Sequence, residues 1–318
     1  MKPDAPLGLL LVLTMFPACK KEMGRTGYAV ATSSALPVVC AVNYPLAYFA
    51  RRIGGHEIEV TFDAPKDVDP AFWQPSDKQI ASFQAASLIL MNGATYSKWA
   101  DTATLPEAKV VDTSSAFQDK FIMAKSSVTH SHGKDGVHSH DGTAFTTWLD
   151  FQQAISQADT ICEAFKRLKP NGEAFEQFAM NFDAFKKDLL VLDLQMEALG
   201  KKLANRPVVA SHPVYQYWAR RYGINLQSVL WEPEEIPTDA QMDDLKKILA
   251  THPARLMIWE GVPRKESVEK LKAIGVESAV FDPCANTPEK GDFLSVMRDN
   301  VAGVERVTGL FLDESLPP

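Results

Sequence analysis

FEQFAMNFDAFKKDLLVLDLQMEALGKKL, residues 175–203, is the stretch from which the rest of this chain is best read. Phe175, Phe178, Phe182, Phe185, Leu189, Leu192, Met196, Leu199 and Leu203 recur at alternating spacings of three and four. That spacing draws one apolar stripe down an α-helix. No proline interrupts it, and its one glycine is Gly200. At 1.5 Å per residue such a helix is roughly 45 Å long. Phenylalanine at four successive stripe positions suits a globular body better than the slim seam of a two-stranded coiled coil. The stripe therefore predicts a rigid strut over 171–205, bridging two lobes.

Upstream, residues 36–170 alternate strand and helix signals. Pro37 to Val42 reads as a buried strand, and Tyr44 to Ile53 as a helix stopped by Gly54-Gly55. Glu57 to Phe62 and Ser87 to Met91 read as further strands. Ser76 to Gln79 has the pattern of a capping box. Thr147 to Leu168 is a further expected helix. Downstream, residues 206–318 restart the alternation. Strands are expected at Pro207–Ser211, Leu256–Trp259 and Ser278–Phe281, and helices at Val214–Tyr222, Thr238–Ala250, Lys265–Ile274 and Phe293–Val307. Short connections between alternating elements predict parallel sheets. The expected fold is thus α/β, with two parallel-sheet lobes on one long helix. A cleft between lobes is the usual place for a ligand.

Within the first lobe, the segment 129–141, THSHGKDGVHSHD, holds four of the seven histidines: His130, His132, His138 and His140. It has no apolar periodicity, so a mobile surface loop is expected. Imidazole is the commonest ligand for borderline transition metals, and carboxylates are its usual companions. The segment is expected to capture metal; a solvated linker that happens to be histidine-rich is the plainer alternative.

The first 19 residues pair a basic start with an apolar run from Leu7 to Phe16, too short to span a bilayer and fit for an export signal. Cys19 after Ala18 resembles a bacterial lipoprotein cleavage site, which would lipidate Cys19 and leave residues 20–35 as a polar tether. Simple export with cleavage nearby is the alternative. The remaining cysteines, Cys40, Cys162 and Cys284, are too few and oddly numbered for a disulfide framework. A net charge of −7 argues against nucleic-acid partners. Neither His-Glu-x-x-His nor Gly-x-Ser-x-Gly nor a phosphate-cradling glycine loop occurs, so no enzyme is expected.

Taken together, several pieces resemble the solute-binding proteins of zinc and manganese ABC importers. They are Asn43 to Ala50 with Ile53-Gly54-Gly55, Val68-Asp69-Pro70 with Trp73 and Pro75-Ser76, Ile89 to Gly93 and the histidine loop. Further along come Trp148-Leu149-Asp150, Ala210-Ser211-His212 with Tyr217, Ala219 to Gly223, and Phe281-Asp282-Pro283. They follow family order over roughly 37–305. The resemblance implies a periplasmic or otherwise extracytoplasmic lipoprotein that delivers a metal ion, zinc before manganese, to an ABC permease, acting as a monomer. A free-standing metal buffer or adhesin-type lipoprotein is the rival.

The resemblance also implies four metal ligands between the lobes. Two match His212 and Asp282, while Ala71 and Thr146 stand where histidines are usual. Alanine cannot ligate and threonine is a poor donor. Three outcomes stay open: the loop histidines complete the site, the loop holds the metal alone, or the cleft takes another ligand. In the last case Phe72, Trp73, Thr146 and Trp148 would line it. Glu260, ending a strand, is a spare carboxylate with a surface or second-shell role equally open. His56 and His252 are expected to be exposed, and Cys284 to be an inert buried thiol.

Overall fold

The computed structural model describes Met1 and residues 35–124, 129–131, 137–139 and 142–312, with backbone alone at 124, 129–131, 137–139 and 310–312. Leu36–Pro318 form one compact unit and Met1–Ala35 another; the fold below is that of the larger unit.

The first lobe opens with β1 (Val38–Ala41), α1 (Tyr44–Gly54), β2 (Glu59–Thr61), α2 (Asp77–Ala85), β3 (Leu88–Met91) and β4 (Val110–Asp112). These strands form a sheet in the order β2-β1-β3-β4, with every pairing parallel. Asn43 starts α1 by accepting the Leu46 N–H at 3.0 Å, with Pro45 in the first turn where no donor is missed. Four short strands follow, β5 (Met123–Ala124), β6 (Thr129–Ser131), β7 (Val137–Ser139) and β8 (Gly142–Thr143). They pair antiparallel, β5 with β8 and β6 with β7, and the second pair sets His130 opposite His138. The histidine segment was read as a surface loop, and this short ladder was not anticipated there.

Two helices then lead to the second lobe, α3 (Phe151–Leu168) and α4 (Glu173–Leu203). Asp150 caps α3 by accepting the N–H groups of Gln152 and Gln153, which is why the helix begins after a short 3-10 turn at Thr147–Leu149 instead of at Thr147. The 31 residues of α4 form the expected strut. Its stripe from Phe178 to Leu203 is buried, each such side chain contributing about 1.5–3 kcal/mol. Phe175 is only half-buried, under the Lys166 ammonium.

The second lobe comprises β9 (Val208–Ala210), α5 (Gln216–Tyr222), β10 (Leu226–Ser228), α6 (Asp239–Thr251), β11 (Leu256–Trp259), α7 (Lys265–Ala273), β12 (Glu277–Val280) and α8 (Phe293–Leu312). Its sheet order is β10-β9-β11-β12, again parallel throughout. The helix α4 packs on α1 and α3 of the first lobe and on α5 and α8 of the second. Gly200 permits a close approach to the end of α5: a Cβ there would lie 2.3 Å from the Tyr222 carbonyl oxygen. About two helical turns earlier, Asp193 accepts hydrogen bonds from Gln152, Arg221 and Tyr222 at 2.6, 2.6 and 2.8 Å. Burial alone would raise its pKa, but these donors hold it below the usual carboxylate value.

Strands β4 and β10 were not anticipated. Cys40, Cys162 and Cys284 are free and buried. His252 was expected at the surface and is instead buried, its Nε2 2.9 Å from the Val208 carbonyl oxygen; His56 is exposed. Among the described residues no helix is long and apolar enough to cross a membrane.

Candidate metal centre

Parallel strands end on the same edge of their sheet, and α/β folds place ligands beyond that edge. In the second lobe each of the four strands is followed there by a candidate donor. Glu232 follows β10, His212 follows β9, Glu260 follows β11 and Asp282 follows β12. The order across the sheet is therefore Glu232, His212, Glu260, Asp282. Backbone hydrogen bonds continue the ladder past the strand ends and fix these positions. Ser211 donates to Ile258 O at 2.8 Å, Trp231 to Ser211 O at 2.9 Å, and Phe281 to Trp259 O at 2.8 Å.

His212, 1% exposed, sits between its two neighbours. Its Nε2 lies 3.3 Å from Glu232 Oε1, and its Nδ1 lies 3.1 Å from Glu260 Oε1. One ligand atom from each of the three residues falls within 4.8 Å of the others. Donors held about 2.1 Å from one ion stand at most about 4.2 Å apart, so a small contraction closes this group on a cation. Burial disfavours the charged imidazole, yet the carboxylates of Glu260 and Glu232, with Asp69 beyond them, outweigh it and raise the His212 pKa.

Glu232 and Glu260 line a cavity of about 690 Å³, with His212 buried between them. Its first-lobe wall is Lys66 to Pro70, including Asp67 and Asp69; its second-lobe wall includes Glu232, Glu234, Glu235, Glu260 and Asp282. Seven carboxylates face one ammonium, which selects a cation. Asp69 is aimed by the Ala71 N–H, 2.9 Å from its Oδ1. Asn286 ties the two walls together, its Nδ2 donating to Pro65 O at 2.7 Å and to Val68 O at 2.8 Å.

Asp282 lines the same cavity but stands outside the three-residue group. Neighbouring strands are about 4.8 Å apart, and β12 is two strands from β9, so Asp282 neighbours Glu260 and not His212. Its Oδ1 accepts the Cys284 N–H at 2.6 Å, and burial pushes its pKa up. Sequence reading considered Glu260 and missed Glu232. The signal for Glu232 lay in the apolar Val229-Leu230-Trp231 before it, behind an edge strand too short to be read.

Of the residues expected to line a cleft, Glu260 does so, whereas Phe72, Trp73, Thr146 and Trp148 lie elsewhere. Trp73 and Trp148 are core residues: Trp73 meets the Trp99 ring, and Trp148 is fully buried with its Nε1 donating to Pro283 O at 2.7 Å. Phe72 is half-buried, edge-on to Phe145 at 6.1 Å. Thr146 is buried and donates to the Val214 carbonyl. Large aromatic side chains are drawn to the apolar interior, which overrides their position beside a cleft. Ala71 is buried as well. His132 and His140, and the side chains of His130 and His138, lie outside the described residues, as does Cys19.

A family model described as "Zinc-uptake complex component A periplasmic" matches residues 39–307. The zinc-binding protein AdcA of Streptococcus pyogenes serotype M3 is 24% identical over 292 residues, 86% of this chain and 56% of that protein. This chain thus spans little more than half the length of that relative. The high-affinity zinc uptake system protein ZnuA of Bacillus subtilis is 23% identical over 277 residues, 81% of this chain and 83% of the relative. Among solved structures, the metal-dependent lipoprotein YcdH of Bacillus subtilis superposes with a TM-score of 0.71 at 20% identity, covering 86% of this chain and 98% of that one. That likeness supports the two-lobed α/β fold.

Proposed function

The chain belongs to the periplasmic zinc-uptake component A family, and on that footing we propose that it is an extracytoplasmic solute-binding protein for a divalent cation. The cation it carries is zinc, held by His212, Glu232 and Glu260 on the floor of the acidic cavity. The observation that supports this most is His212 itself, a buried imidazole with a carboxylate against each ring nitrogen. The chain binds the ion and passes it to an ABC permease without chemistry upon it.

One imidazole with two carboxylates is a donor set that zinc accepts. For a given site of nitrogen and oxygen donors, zinc also binds above manganese in the usual affinity order. The test is metal-free full-length protein titrated with zinc and with manganese, then with each in competition. One tight zinc equivalent, displaced weakly by manganese, is expected. Tighter manganese than zinc, or no tight equivalent, would overturn the reading. Lipid attachment at Cys19 is part of the same proposal, supported by the lipoprotein-like sequence there. Membrane-bound protein that becomes soluble on Cys19→Ser would establish it.

A further inference from the structure

We propose that a second copy of this chain docks antiparallel along the outer face of α4, forming a weak two-fold pair. The pairing is independent of the metal site.

The helix carries two stripes. The buried one, from Phe178 to Leu203, packs into the body of the protein. Glu176, Met180, Asp183, Lys187, Leu190, Leu194, Glu197 and Lys201 form another, with spacings that alternate strictly between four and three residues. This second stripe is offset from the first by two residues, about 200° around the helix axis, so it points away from the body. Its side chains are exposed, Leu194 at 65% and Glu197 at 37%. Among the described residues, four of the nine exposed large apolar side chains lie on this one helix: Met180, Leu190, Val191 and Leu194. A strict four-three alternation is the repeat that seats one helix against another.

Charge fixes the occupant and its direction. Laid antiparallel about a two-fold axis level with Leu192, Leu190 meets the partner's Leu194. Lys187 then meets the partner's Glu197 and Asp183 the partner's Lys201, and symmetry repeats each pair. Opposite charges thus flank an apolar centre on both sides. In a parallel pair each residue would meet its own copy, setting acid against acid and lysine against lysine. A lipid surface calls for a basic face around the apolar strip, whereas acids and lysines alternate here. Glu197 is 3.0 Å from Arg221 on its own chain, which fixes its carboxylate beside the stripe.

From Asp183 to Lys201 the seam is about 27 Å long, and a helix is about 10 Å wide. Such a strip buries less than the roughly 1,200–2,000 Å² of a stable interface, so pairing is reversible, with a Kd on the order of 100 μM. Dilute protein is then a monomer, as the family resemblance implies.

Sedimentation equilibrium of the full-length chain, from about 10 μM to about 1 mM, tests the pair. A monomer–dimer equilibrium that stops at the dimer is expected. Leu194→Glu should weaken it by at least about tenfold. Asp183→Lys and Lys201→Asp should each weaken it, and the chain carrying both should regain it, because the facing charges are again opposite. Every variant should keep the parent's Tm and zinc stoichiometry, since these positions are exposed and lie outside the metal site. A chain that stays monomeric throughout overturns the proposal. So does self-association that Leu194→Glu leaves unchanged, which places the contact elsewhere, and so does a double variant no stronger than the single ones. Leu194-dependent binding to vesicles of phosphatidylcholine and phosphatidylglycerol, with no dimer in solution, would give the face to a lipid surface and likewise overturn it.

Discussion

At His212 a proton and a metal ion compete for the same ring. The flanking carboxylates raise its pKa despite burial, against about 6.5 in an unfolded chain. In the metal-free protein the charged ring therefore stabilises the fold below about pH 6.5, and that contribution is lost as pH rises through the folded value. Zinc requires the neutral ring, so its stabilisation runs the other way. Thermal unfolding with and without zinc should show a zinc-induced rise in Tm that grows from pH 5 to pH 8; a constant rise would exclude His212 as a ligand. Substitution separates ligand from neighbour. Glu232→Gln should weaken zinc binding by at least about 100-fold, beyond the roughly 10–100-fold typical of outer contacts. Asp282→Asn should cost about tenfold or less, because its Oδ1 is already held by Cys284 N–H. The reverse ranking would move the site one strand along. His212 and Glu260 were legible because each follows a strong apolar strand run. Glu232 was not, since β10 is a three-residue edge strand with little apolar signal.

At the scale of elements, the loop 65–70 carries Asp69 over the donors and is pinned to the other lobe by Asn286. Each of those two hydrogen bonds is worth about 0.5–1.5 kcal/mol net. Asn286→Ala should speed zinc release by about tenfold while leaving its capture rate within about twofold. Stopped-flow traces in which capture slows and release does not would show that Asn286 does not act as a latch. The long helix was readable because nine apolar residues keep a strict three-four alternation, a signal no strand can imitate. The starts of α3 and α5 were read early because Trp148-Leu149 and Val214 continue an apolar pattern that the backbone does not follow. Capping by Asp150 decides the first of these boundaries. The histidine segment offered no periodicity at all, and its short ladder arises from pairing that single-strand patterns do not encode.

For the molecule as a whole, the decisive feature is that α4 packs on helices of both lobes. Asp193 adds a buried tie from α4 to Arg221, Tyr222 and Gln152. A strut fixed at several points resists wide hinge closure and leaves local loops to adjust. Small-angle scattering of metal-free and zinc-loaded protein should therefore give the same radius of gyration within error; a clear contraction would show that the lobes swing. All three proposed donors lie on one lobe, so capture needs no such swing. The central claim is that one imidazole and two carboxylates hold the ion. X-ray absorption at the zinc edge, on full-length protein loaded with one equivalent and free of added chelator, tests it most directly. The account predicts an oxygen-dominated first shell with a single imidazole, and a shell of two or more imidazoles would contradict it.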